Sequence, residues 1–174
     1  SIRMSTLVED LLLLARLDQS REMEKDPVDL NTLVKEAVAS AQAAGPDHPI
    51  SLSLPAEDVF VLGDSHRIHQ VIANLLANAR THTPQGTPIS IALTQGDTEI
   101  TMAVSDQGPG LSIEDQERIF ERFERLEEHQ KIRGLGLGLY VVKKMIEAHE
   151  GTISVESHKG EGTLFTLTLP LSQI

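Results

Sequence analysis

Four runs of alternating apolar and polar residues, joined in pairs by glycine-bearing turns, constrain this chain more than any other feature. PISIALTQG (88–96) and TEITMAVSDQG (98–108) meet at Gly96 and Asp97, and TISVESHKGEGTLFTLTLP (152–170) contains two more runs around a glycine loop. Period-two alternation is the pattern of a strand with one covered face, so each pair reads as a hairpin. Two shorter runs, ISLSLP (50–55) and DVFVLG (58–63), read as strands as well. Helical patterns lie between them. Asp29 can cap one running through LNTLVKEAVASAQAAG to Gly45 and Pro46, and others span about 65–80, 113–119 and 137–149. Hairpins outnumber β-α-β crossovers. The expected class is therefore α+β, a two-layer sandwich of a mixed sheet with helices on one face.

The N-terminal end is different in kind. Met4, Leu7, Val8, Leu11, Leu14, Ala15 and Leu17 follow helical spacing, and the stretch after them, DQSREMEKDP, is charged and ends in proline. The chain thus divides into a helix over 1–20, a linker over 21–28 and a body over 29–174. A start at Ser1 inside a helical pattern reads as a cut from something longer. The longest apolar run, LLLLA at 11–15, is far short of the roughly 20 residues of a membrane span.

Composition narrows the possible ligands. Fifteen Lys and Arg against 26 Asp and Glu give a formal charge of −11, which argues against a surface built to neutralise nucleic-acid phosphates. Any polyanion bound here should be small and locally cradled. With no cysteine, disulfides and thiolate metal sites are excluded.

Four motifs carry chemistry. In HQVIANLLANARTHTP (69–84), Asn74 and Asn78 are four apart and share one helix side, beside an apolar face of Val71, Ile72, Leu75, Leu76 and Ala79. A helical asparagine is commonly a surface residue, but two stacked amides also offer hard oxygen ligands to a hydrated Mg²⁺ that holds phosphates. In VSDQGPGL (104–111), Asp106 ends a strand, while Gly108 and Gly110 let the chain turn beside a planar ligand. A plain turn would use the same residues. The carboxylate is nonetheless placed where an acceptor could read a base's exocyclic amine. In IFERFER (119–125), Phe120 and Phe123 are either core packing or the anchor of a movable flap bearing Arg122, Arg125, Lys131 and Arg133. Arg125 is the one aimed at a phosphate, through a guanidinium's forked bonds. Finally, GLGLGL (134–139) opens a helix. Glycine costs about 1 kcal/mol in a helix, and bare N–H groups at a helix N-terminus suit an anion.

The order of these motifs resembles the N, G1, F and G2 boxes of the ATP-binding domain of bacterial sensor histidine kinases, in the gyrase, histidine kinase and MutL ATPase superfamily. It covers about residues 29–170, GEGTLFTLTLP being similar to the family's last glycine box and closing strand. The resemblance implies a kinase that binds ATP and Mg²⁺ and transfers the γ-phosphoryl to a histidine, for relay to a cognate response regulator. By it, Asp106 accepts from the adenine amino group, with Gly108, Gly110, Phe120 and Thr163 around the nucleotide. Asn78 holds Mg²⁺, with Asn74 beside it and Arg125 as the third catalytic residue. Gly134, Leu135, Gly136, Leu137 and Gly138 shape the far end of a lid. LVEDLLLLARLD is similar to the second helix of the dimerisation hairpin, which implies a homodimer and a phosphoacceptor helix in the full-length protein. That protein would be a membrane sensor with this domain on the cytoplasmic side.

Three departures stand out. Thr81 replaces the lysine that usually follows in the N box, leaving a phosphate contact to Arg80 or another residue. Leu135 replaces a usual Thr or Ser. No H-E/D-x-x-T/N-P phosphoacceptor string occurs around any of the seven histidines. A gyrase-type switch is a rival, but the residue matching its catalytic glutamate is Asn74, and an amide cannot take a proton from water. A nucleotide-binding module without catalysis is the other rival.

Overall fold

The computed structural model describes residues 25–45, 47–121 and 138–172. Eleven elements occur among them: β1 (Asp26–Asp29), α1 (Leu30–Ala44), β2 (Ile50–Ser53), β3 (Phe60–Gly63), α2 (Ser65–Thr81), β4 (Ile89–Gln95), β5 (Glu99–Asp106), α3 (Ile113–Arg118), α4 (Gly138–Ala148), β6 (Thr152–His158) and β7 (Gly162–Pro170). The N-terminal helix expected over 1–20 lies outside the described residues.

Caps set the helix starts. Asp29 accepts from the Thr32 N–H and Asp64 from the N–H groups of His66 and Arg67, filling donors that no helical carbonyl can reach. Gly45 ends α1, its N–H returning to the Ala41 carbonyl at 2.9 Å.

The main sheet has the order β2-β4-β5-β7-β6, with β2 parallel to β4 and the other pairs antiparallel. Alternation decides which face is covered. Ile89, Ile91 and Leu93 of β4, Ile100, Met102 and Val104 of β5, and Phe165, Leu167 and Leu169 of β7 are buried with the apolar sides of α1, α2 and α4. The intervening residues are polar or small, as in the Ser90–Ser105 and Thr152–Thr168 cross-strand hydroxyl pairs. One face of the sheet therefore carries the helices, as the alternation requires.

One feature differs from the sequence reading. The linker assigned to 21–28 ends inside β1, which pairs antiparallel with β3 in a separate two-stranded sheet. Val28 opposite Val61 is the reason, since both are buried while charged neighbours hide the pattern in β1. The runs read as strands in 50–63 are both strands, and they lie in different sheets: β2 joins β4 and β3 joins β1.

A buried histidine joins two of the helices. His149, just past α4, donates through Nδ1 to the Met145 carbonyl at 2.7 Å and accepts at Nε2 from the Asp64 N–H at 3.1 Å. Those two bonds fix a neutral tautomer. Gly63 makes room, as a Cβ there would lie 2.7 Å from the ring.

Candidate functional site

A cleft opens between the C-terminal half of α2 and the ends of β5 and β7. Asn78 and His82 face it from the helix, Asp106 and Thr163 from the sheet, and Gly110, Leu111 and Ile119 from the segment that follows β5.

Register explains its floor. After Ile100, Met102 and Val104, the next β5 residue on the helix-facing side is Asp106, a carboxylate where the core pattern would place an apolar residue. Asp106 pairs across the sheet with Ile89 and Thr163, and Thr163 pairs with Ser157 of β6. Burial pushes the Asp106 carboxyl above the usual carboxylate range, and hydrogen bonds from the Gly108 and Thr163 N–H groups pull it partly back. The Gly108 bond is 2.9 Å. The floor thus presents a partly desolvated acceptor, held in place by the backbone.

The glycines are required by contact. A Cβ on Gly108 would strike the Thr83 methyl, and one on Gly110, whose φ is +77°, would strike the His158 carbonyl. Thr83 is itself fixed: its hydroxyl donates to the Ala79 carbonyl at 2.7 Å, so the His48 Nε2 at 2.9 Å must donate to it. His48 and His149 are therefore buried structural groups.

On α2 the structure separates the expected residues. Asn74 and Asn78 share a side, and Asn78 reaches the cleft. Asn74 Oδ1 accepts from Gln70 at 2.8 Å, while its Nδ2 is buried with no hydrogen-bond partner among the described residues. Arg80 is not brought to the cleft. Two residues along a helix is about 200° of rotation, so its guanidinium faces α1 and donates to the Ala41 carbonyl at 2.6 Å. Thr81 turns its hydroxyl back to the Ala77 carbonyl at 2.8 Å.

Phe120 is half-buried and packs edge-on against Phe165, ring centroids 6.0 Å apart, with the Lys143 ammonium 5.9 Å from its ring. Its neighbour Ile119 is the one that lines the cleft. Gly138 begins α4, and a Cβ added there would meet nothing within 4 Å among the described residues. Arg125, Gly134, Leu135, Gly136 and Leu137 lie outside the described residues, as does Phe123.

Sequence reasoning missed several site residues. His82 was accessible to it, being four residues past Asn78 on the same helix side. Gln116 and Ser157 were not. The Gln116 amide donates to the carbonyls of Leu111 (3.1 Å) and Ser157 (2.7 Å) and accepts from the Ser157 N–H (3.1 Å), tying α3 to β6 across 41 residues.

Known proteins share this fold. Residues 63–173 match the family described as histidine kinase-, DNA gyrase B- and HSP90-like ATPases. The probable sensor histidine kinase TcrY of Mycobacterium tuberculosis is 47% identical over 171 residues, which is 97% of this chain and 36% of that protein. Among solved structures, full-length ShkA in complex with AMPPNP superposes with a TM-score of 0.81 at 27% identity, covering 97% of this chain and 36% of that one. The mycobacterial sensor histidine kinase MprB superposes with a TM-score of 0.75 at 26% identity, covering 86% of this chain and 99% of that one. This chain spans about a third of TcrY, at 36% of its length. With its mixed sheet, one-sided helices and a carboxylate at the end of β5, the chain belongs to the histidine kinase-, DNA gyrase B- and HSP90-like ATPases.

Proposed function

We propose that this chain is the ATP-binding catalytic part of a sensor histidine kinase, transferring the γ-phosphoryl of Mg-ATP to a histidine outside these 174 residues, for relay to a response-regulator aspartate. The observation that carries the reading is Asp106: an acceptor on the core side of β5, partly desolvated and oriented by the Gly108 N–H. An exocyclic amine is the donor such a group suits, and adenine has one.

The residues fit the nucleotide and its metal. Asn74 Nδ2 is a buried donor lacking an acceptor among the described residues, and Asn78 lines the cleft. Asn78 would hold Mg²⁺ together with the phosphates, since this ion needs only one or two protein ligands. When bound, the ion supplies charge neutralisation on the phosphates. Asp106 orients the base, Gly108 and Gly110 bring backbone close to it, and Ile119 and Leu111 exclude water from one side. Positioning of this kind is where most of the rate of phosphoryl transfer originates.

None of the seven histidines stands in the phosphoacceptor string, and the buried His48 and His149 are engaged in internal hydrogen bonds, so the reading assigns the acceptor to a separate helix of the full-length protein. A homodimer and a cytoplasmic position beneath a membrane sensor belong to the same proposal; no described helix is long and apolar enough to cross a membrane.

A second reading, a nucleotide-binding module without catalysis, is favoured by Arg80 and Thr81, whose polar groups are spent on α1 and α2 carbonyls. Two measurements separate them. Calorimetry should show Mg-dependent binding of an ATP analogue, weakened in Asp106→Asn by roughly 1.5–3 kcal/mol, the loss of a hydrogen bond to a charged group. Unchanged affinity would remove the basis of the nucleotide reading. Phosphate transfer to a supplied acceptor domain then identifies the kinase, and binding without transfer identifies the module.

A further inference from the structure

Ser157 lies behind the cleft, buried, and plays no part in the reading above. Its hydroxyl donates to the Gly162 carbonyl at 2.7 Å and accepts from the Leu111 N–H at 2.7 Å. A third neighbour, the Thr163 hydroxyl, is 3.0 Å away. A serine hydroxyl has one proton and two acceptor sites. The proton is committed, because a carbonyl can only accept. Thr163 must therefore donate to Ser157, and this fixes the direction of the Thr163 hydroxyl.

The consequence reaches the cleft, which Thr163 lines. With its proton turned back towards Ser157, the Thr163 oxygen offers only lone pairs to a ligand. Asp106, its partner across the β5–β7 ladder, is also an acceptor when ionised. Gln116 holds this arrangement from behind. β6 is the sheet's edge, and the Gln116 amide takes up the N–H and the carbonyl of Ser157 as a neighbouring strand would, while its bond to the Leu111 carbonyl holds the loop whose N–H meets the Ser157 hydroxyl.

We infer that Ser157, supported by Gln116, is a positioning residue for base specificity: it orients the Thr163 hydroxyl so that the cleft floor is all acceptor and selects a purine with an amine at position 6 over one with a carbonyl. The inference rests on the nucleotide reading of the site. A 6-oxo purine would set its oxygen against acceptors alone. Removing the Ser157 hydroxyl releases the Thr163 proton, which can then rotate and donate to that oxygen.

The test compares ATP with ITP, which differ in this group, using the full 174-residue chain with Mg²⁺. Wild type should bind ATP on the order of tenfold or more tightly than ITP, the factor expected for one mispaired hydrogen bond. Ser157→Ala should narrow that ratio severalfold, chiefly by gaining ITP affinity, and Thr163→Val should abolish any further effect of Ser157→Ala in the double variant. Gln116→Ala, which leaves the hydroxyls in place, gives a second and milder route to the same narrowing, and thermal melting establishes that each variant is folded. Equal loss of both nucleotides in Ser157→Ala, or an unchanged ratio, would overturn the inference while leaving ATP binding by wild type intact. Failure of wild type to bind ATP would overturn the nucleotide reading, and the inference with it.

Discussion

The two sides of the cleft are built on opposite principles. On the sheet side, Asp106, Thr163, Ser157 and Gln116 form a connected row in which backbone and side chains satisfy one another. On the helix side, Asn74 keeps a buried donor without a partner among the described residues, and Asn78 turns to the opening. A satisfied network is rigid and selects shape, whereas an unsatisfied amide gains most when a ligand arrives. Under the proposed function, the sheet side reads the base. Under the same proposal, the helix side holds the phosphates and their ion.

The largest expected effect separates these roles kinetically. Asn78→Ala should lower phosphoryl transfer to a supplied acceptor by on the order of a hundredfold, the scale seen when one group stabilising transition-state charge is removed. Affinity for adenosine, which lacks phosphates, should barely change. Asp106→Asn should do the reverse to adenosine, weakening it as strongly as it weakens ATP. If both variants lose adenosine equally, the division between the two sides fails.

How much of this was legible in the sequence follows the same division. Asp106 stood out because a strand pattern led into it and two glycines followed, all local information. Asn74 and Asn78 were readable from a four-residue spacing. Arg80 was open to misreading because proximity in sequence to Asn78 conceals a half-turn of helix, and only the tertiary contact with Ala41 shows where it points. β1 was hidden because its one buried apolar residue, Val28, acquires meaning only opposite Val61. The clamp of Gln116 on Ser157 spans 41 residues and uses residue types common on any surface. Pairings between distant segments leave no periodic trace.

A smaller effect contrasts the sides by stability. Ser157→Ala leaves the Leu111 N–H and the Thr163 hydroxyl without their partner, so it should cost about 1–3 kcal/mol, the usual penalty for stranding a buried polar group. Asn74→Ala gives up the Gln70 bond but also removes an unpaired buried donor, so its net cost should stay within about 1 kcal/mol. Denaturant titration of the two variants measures the difference. Comparable losses would mean that the helix side is as tightly coupled as the floor.

The smallest effect is in pH, and the two sides differ in sign. On the floor, burial raises the Asp106 pKa above 3.8, so the native state holds that proton longer than the unfolded chain does, and Asp106 subtracts stability as pH rises through its folded value. Binding of an amine needs the ionised form, so nucleotide affinity should fall as pH drops through the same range. At the foot of α2, burial lowers the His149 pKa below 6.5, outweighing the upward pull of the Met145 carbonyl and Asp64; Arg67 and Lys25 add to the lowering. Here the unfolded chain takes up the proton first. Stability is therefore full above about pH 6.5 and declines as pH falls towards the folded value. A protonated ring would also turn an Nε2 proton against the Asp64 N–H that it now accepts from, loosening the cap of α2. Melting temperatures of the ligand-free chain between pH 7.5 and 5.5 should fall more steeply for wild type than for His149→Gln, which cannot titrate. Parallel curves would assign the acid sensitivity to other groups and leave His149 as packing alone.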